Sequence, residues 1–116
     1  MARSPQEIFA HHGRALGEED LDALLADYAE DAVLLLASGA RRGHGELRQF
    51  FTDMLAELPH ATWDLKTTVF EGDALYVEWS AASGGKRVDD GVDTFVFADG
   101  LIRLQTAHLT VQPAGA

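Results

Sequence analysis

Apolar residues recur at helical spacing in the first half of the chain, and in the second half they fall in runs separated by glycine-containing turns. Ser4-Pro5-Gln6-Glu7 opens the first helical stretch, because the Ser4 hydroxyl suits a cap, Pro5 the first helical position and Glu7 a reciprocal capping contact. This helix is predicted to run to about Leu16, with Ile8, His12, Ala15 and Leu16 on one face and Phe9 at its edge. Asp20 is a second cap, and Leu21, Leu24, Leu25 and Tyr28 follow it at i, i+3, i+4 and i+7, a short second helix that Glu30-Asp31 ends. Ala32 to Ala37 has the length and apolarity of a buried extended segment, and Ser38-Gly39 turns the chain. After Gly43, the residues Leu47, Phe50, Phe51, Met54, Leu55 and Leu58 share one stripe of a third helix that Pro59 stops.

Beyond Pro59 the pattern is that of strands: about Thr62 to Phe70, Leu75 to Ala82, Val88 to Ala98, and Leu101 to Val111. Glu71-Gly72-Asp73, Ser83-Gly84-Gly85 and Asp99-Gly100 are the turns between them, and Gln112 to Ala116 reads as a frayed tail. Helices followed by hairpin-linked strands define an α+β fold. Three helices are expected to pack on a curved antiparallel sheet of four to six strands that closes around an interior pocket. With 116 residues, and with neither a repeat nor a linker, residues 1–116 read as a single domain.

Charge then narrows the partners. Nine Lys and Arg against nineteen Asp and Glu leave a net charge of −10, which repels phosphate backbones and anionic lipid headgroups alike, so neither nucleic acid nor a membrane is an expected partner. No cysteine is present, which removes disulfides, thiolate nucleophiles and thiolate metal sites. The longest apolar run, Ala32 to Ala37, is too short to span a bilayer, and Met1 to Gln6 carries no secretory apolar region, so a cytoplasmic location is expected. No metal site is predicted: His11 and His12 point about 100° apart on a helix and cannot chelate one ion as an i, i+4 pair can. Arg41-Arg42 reads as a solvated pair on a turn.

The order of elements, with Asp20-Leu21-Asp22, Asp27-Tyr28-Ala29-Glu30-Asp31-Ala32-Val33, Gly43 before the third helix and the segment Gly91 to Gly100, resembles the nuclear transport factor 2-like superfamily. Within it the chain is similar to the SnoaL-like and ketosteroid isomerase-like branch. The resemblance spans roughly Pro5 to Val111 and implies a cone-shaped, cystatin-like half-barrel with a concave pocket and a homodimer formed through the convex side. It leaves the activity open, since that superfamily hosts isomerases, cyclases, hydrolases, dehydratases and transport factors.

Two titratable residues fall where that branch places its chemistry. Asp93 matches the carboxylic acid of the isomerase's oxyanion hole, and it alternates with Phe95 and Phe97, so a strand puts the carboxyl on the face of two aromatic rings. Burial there raises its pKa towards the range a general acid needs; the competing reading is a turn cap or an arginine partner. His12 matches the oxyanion tyrosine and lies mid-stripe on an apolar helix face, where it either lines the pocket or is a buried neutral imidazole bonded to Tyr28 or a backbone carbonyl. Tyr28 is expected beside it. The resemblance places Gln105, Ala107 and Leu109 inward and His108 outward. For Leu75 to Ala82 the cues conflict: the resemblance puts Tyr76, Glu78 and Ser80 inside, whereas hydrophobicity favours Leu75, Val77 and Trp79, and Glu78 is taken as pocket-lining. Phe50, Phe95 and Trp63 complete the expected lining, although Trp63 and Trp79 also suit a purely structural role.

One departure limits the function. Leu36 stands where the isomerase needs its general-base carboxylate, so ketosteroid isomerase activity itself is not expected. Ala107 stands where limonene epoxide hydrolases need part of their charged cluster. The expectation is a cofactor-independent acid-base enzyme, an isomerase, cyclase or dehydratase, acting on a small apolar carbonyl compound with Asp93 and His12 as catalytic groups. The alternative is a ligand-binding or dimerisation module without catalysis.

Overall fold

The computed structural model describes residues 3–114. Helix α1 (Pro5–Gly17) begins with the expected capping box: Ser4 Oγ accepts from the Glu7 amide at 3.1 Å, and Glu7 Oε1 accepts from the Ser4 amide at 2.8 Å. Asp20 Oδ1 likewise accepts from the Ala23 amide, but α2 (Leu21–Leu25) makes little more than one turn. Tyr28 is therefore not helical; it opens strand β1 (Tyr28–Leu36), which takes in Glu30-Asp31 as well. The reason is non-local. The Ile102 amide donates to the Asp27 carbonyl at 2.8 Å, and Tyr28 pairs with Ile102, so the sheet captures the chain before a second helical turn closes.

Gly39–Arg42 form β2, a short edge strand antiparallel to β1, so Arg41 and Arg42 sit in the sheet and not on a turn. Helix α3 (Gly43–Glu57) follows, then β3 (Thr62–Glu71), β4 (Ala74–Ser83), β5 (Lys86–Ala98), β6 (Leu101–His108) and the two-residue β7 (Gln112–Pro113). The strand order is β2-β1-β6-β5-β4-β3. Strands β3 to β6 form an antiparallel meander, whereas β1 runs parallel to β6, which makes the sheet mixed where a wholly antiparallel one was expected. The part of the tail read as frayed is also ordered by pairing. Gln112–Pro113 lie against Lys86 and Arg87, and the Ala114 amide donates to the Gly85 carbonyl; the last two residues of that stretch lie outside the described residues.

Register shifts between Leu65 and Thr67, Trp79 and Ala81, and Val96 and Phe97 interrupt the ladders, and such bulges bend the strands that carry them. The sheet curves without closing, and its concave side faces the three helices. Ile8, Leu24, Leu34, Leu47, Leu58, Leu75 and Ile102 are at most 1% exposed and form the core between the layers. Among the described residues no helix is long and apolar enough to cross a membrane.

Asp27, completely buried, joins the layers. Its carboxylate accepts from Arg3 Nη1 at 2.8 Å and lies 2.7 Å from His11 Nδ1, while Arg3 Nη2 donates to the Gly100 carbonyl. Asp27→Ala strands Arg3 and His11 and opens a void, and it is expected to cost about 3 kcal/mol, the usual loss on breaking a buried ion pair. Urea denaturation checks this; a loss under about 1 kcal/mol would show that water replaces the carboxylate freely.

Candidate functional site

Between α1, α3 and the concave face lies a cavity of about 620 Å³. Helix α1 supplies Phe9 and His12, and α3 supplies Phe50, Phe51 and Met54. The strands add Trp63, Leu65 and Phe70 from β3, Val77 and Trp79 from β4, Asp93 and Phe95 from β5, and Gln105 and Ala107 from β6, with Leu109 just beyond it. Seven of the chain's ten aromatic residues thus face one cavity, whose size suits a ligand of two to four fused rings. A smaller cavity of about 370 Å³ shares Phe50, Met54, Ala107 and Leu109 with it, and Leu36 lines that smaller space.

Four polar side chains meet in one chain of hydrogen bonds. Trp79 Nε1 donates to Asp93 Oδ1 at 3.1 Å, and Gln105 Nε2 donates to Asp93 Oδ2 at 2.9 Å. The Tyr28 hydroxyl donates to Gln105 Oε1. Tyr28 was expected to contact His12 through its hydroxyl; instead the two rings meet edge to face at 5.9 Å and the hydroxyl is spent on Gln105, beneath the cavity wall. Burial, with the Asp93 and Asp27 charges nearby, holds the Tyr28 phenol well above its ordinary range, so it stays a donor.

Asp93 is the one carboxylate on the cavity wall among the described residues. Burial pushes its pKa up to about 6, against the pull of the Trp79 and Gln105 donors, which favour the charged form. His12 is buried among Phe9, Tyr28, Phe51 and Phe95, with ring centroids 5.4 to 6.3 Å away. Burial lowers its pKa to about 4, the Asp27 charge opposing and His11 assisting, so at pH 7 the imidazole is neutral. Its buried Nδ1 has no hydrogen-bond partner among the described residues. An unsatisfied lone pair costs less than an unsatisfied N–H, which favours the tautomer with its hydrogen on Nε2 and makes His12 a donor towards the cavity.

Glu78 does not belong to this site. Leu75, Val77 and Trp79 turn inward and Glu78 lies on the opposite face, where its carboxylate accepts from the Tyr76 hydroxyl at 2.9 Å. Hydrophobic alternation pointed the right way there, and the resemblance did not. Trp63, Phe50 and Phe95 line the cavity; Phe97 is buried but stacks behind Phe95, at 6.2 Å, because the bulge at Val96 breaks the alternation. The sequence reading missed the Trp79 donor. The available signal was Gly91, the residue directly opposite Trp79, which leaves room for an indole lying across β5. No cluster of three His, Asp or Glu side chains suited to a metal ion occurs among the described residues.

A family model described as a SnoaL-like domain matches residues 9–105. The chain belongs to the SnoaL-like family. No curated protein matches it. Among solved structures, an NTF-2 like protein of unknown function from Burkholderia xenovorans LB400 is 21% identical, with 96% of this chain and 85% of that one covered at a TM-score of 0.78. A protein from Kribbella flavida DSM 17836 described as a candidate ketosteroid isomerase is 20% identical (90% and 76% covered, TM-score 0.75). Wild-type IdmH from Streptomyces antibioticus, described as a candidate polyketide cyclase, is 18% identical (92% and 92% covered, TM-score 0.74). At such identities the likeness establishes the fold, and the mixed, unclosed sheet with three helices is common to this SnoaL-like chain and those structures.

The two titratable groups of the site act on stability in opposite directions. Between pH 6.5 and about 4 an unfolded histidine takes up a proton that His12 refuses, so acidification through this window destabilises the fold. Between about pH 6 and 3.8 Asp93 takes up a proton that an unfolded aspartate refuses, so the same acidification stabilises it. Relative to the native chain, Asp93→Asn is expected to lose more stability between pH 6.5 and 4.5, and His12→Phe less, read as urea midpoints at the two pH values. Midpoints that move in parallel for all three proteins would refute the assignment.

Proposed function

We propose that this SnoaL-like chain is a small acid-base enzyme that takes a proton from an apolar carbonyl compound with planar rings and returns one to it, as an isomerase, cyclase or dehydratase does. The observation that carries the reading is the Asp93 carboxyl, clamped between two N–H donors in an apolar, aromatic cavity. Both donors favour the ionised carboxylate, while burial keeps its proton affinity near neutral pH, the combination a general base requires. Asp93 is thereby given the base's role in place of the oxyanion donor's. His12 supplies the complement: neutral, and donating from Nε2, it stabilises negative charge as it develops on the substrate oxygen. Gln105 holds the carboxylate in plane and is itself fixed by Tyr28. The names given to two structural neighbours, ketosteroid isomerase and polyketide cyclase, fall within this range of reactions.

Leu36 favours a second reading, ligand binding without turnover, because it stands at the position where the ketosteroid isomerase pattern places its general-base carboxylate. One experiment separates the two. 2-Tetralone carries an enolisable carbonyl on a fused ring, and its α-proton exchange in D₂O is read by NMR. Exchange accelerated by the native protein and slowed at least about 100-fold in Asp93→Asn supports the enzyme. Binding of 2-tetralone without accelerated exchange supports the binding protein.

A second copy of the chain is the proposed partner of the convex face. Leu35, Thr106, Thr94, Tyr76 and Val69 are successive cross-strand neighbours in one row, and Leu35, Tyr76 and Val69 are 42%, 40% and 53% exposed with no helix above them. Sedimentation at micromolar concentration is expected to give twice the 12.6 kDa chain mass, and Tyr76→Lys with Val69→Lys to return it to 12.6 kDa. A native protein that sediments as one chain refutes the dimer.

A further inference from the structure

Trp79 and Gly91 face each other directly across β4 and β5. A Cβ built on Gly91 would lie 2.3 Å from Cδ2 and Cε2 of the Trp79 indole and 2.8 Å from Cε3, closer than any side chain tolerates. All three are atoms of the rigid six-membered ring, so the indole lies flat against the backbone of β5, and no rotation of a flexible tip relieves the clash. Gly91 is not at positive φ, so the position demands glycine for space and not for backbone conformation. Lying over Gly91 aims the indole N–H along β5 at Asp93, two residues on and on the same face, where the 3.1 Å bond forms. The outer face of the same indole meets Trp63 at 5.6 Å on the cavity wall.

We propose that Trp79 is a positioning residue for the proposed base: seated on Gly91, its indole N–H fixes which way the Asp93 carboxyl faces the cavity, and a side chain at position 91 would abolish that control. This inference rests on the reading of Asp93 as the functional group of the site, but its geometry is independent of any substrate. Gln105 alone leaves Oδ1 free to rotate out of plane; with Trp79 in place each oxygen has one fixed donor and keeps a second lone pair for a ligand proton. The bond also tunes the base. A donor to the carboxylate lowers its proton affinity, so Trp79 opposes the upward push of burial.

NMR on the free protein tests this. In the native chain the Trp79 indole N–H resonance is expected to titrate with a midpoint of about 6, together with the Asp93 carboxyl carbon, and that titration is expected to vanish in Asp93→Asn. Trp79→Phe and Gly91→Ala are each expected to raise the Asp93 midpoint by about one pH unit, the effect of losing one hydrogen bond to a charged group. Trp63→Phe, which removes the neighbouring ring but no bond to Asp93, is expected to leave it in place. An indole resonance blind to Asp93, or midpoints unchanged in both variants, overturns the proposal. The native-chain titration and Asp93→Asn answer the question even if neither Trp79→Phe nor Gly91→Ala folds. No ligand is added, so lost coupling counts against Trp79 whether or not 2-tetralone exchanges, and retained coupling without exchange counts against the enzymatic reading alone.

Discussion

A single buried carboxylate decides where the roof of this molecule sits. Asp27 has no contact with solvent, so its charge must be met from within, and both partners come from the first turns of the chain: Arg3, just before α1, and His11, on it. Its own carbonyl is bound to Ile102 at the start of β6. One residue therefore ties α1 to the junction of β1 and β6 along one flank. On the opposite flank α1 reaches β3 through the edge contact of Phe9 with Phe70, while Gln6, Ala10 and Gly13 line the cavity together with Leu65 and Thr68. Ala10 and Gly13 add almost no bulk there. The cavity follows from this anchorage combined with a sheet bent where its register shifts, since a helix free to settle would bring its apolar side onto the sheet and close the space.

The chemistry of the cavity follows from the burial of its titratable groups. Burial drives Asp93 towards holding a proton and His12 towards losing one, so near neutral pH an ionised carboxylate and an uncharged imidazole share an aromatic enclosure. A fully apolar wall would neutralise Asp93. Trp79 and Gln105 prevent that, and Tyr28 fixes the orientation of the Gln105 amide by donating to its oxygen, which leaves its nitrogen for Asp93. The polarity of the network runs one way, from Tyr28 through Gln105 to Asp93. His12 stands apart from it, joined to the site by ring contacts alone.

Much of this was legible in one dimension. The caps at Ser4 and Asp20, the stripe of α3 and the turns at Gly72, Gly84 and Gly100 are local features, and local features are encoded within a few residues of where they act. His12, Asp93 and Gln105 each carried an inward signal from periodicity or family likeness. Tyr28 shows where such signals stop: its i+7 spacing suited a helix, yet pairing with Ile102, far along the chain, made it a strand residue. Glu78 shows the same for the site, since apolar residues on alternate sides of β4 left its facing ambiguous until the helices covered one side and not the other.

Sequence by itself determined the class of fold, the spans of most elements, the acidic surface and the concentration of aromatic residues on inward faces, because each depends on composition or on a period of two or 3.6 residues. Tertiary structure alone decided that β1 lies parallel to β6, that the aromatic faces surround a space instead of filling it, and that Trp79 and Gln105, 26 residues apart, clamp the same carboxylate. Periodicity specifies which side of an element is buried; which other element it meets, and at what distance, is set by the packing of the whole chain.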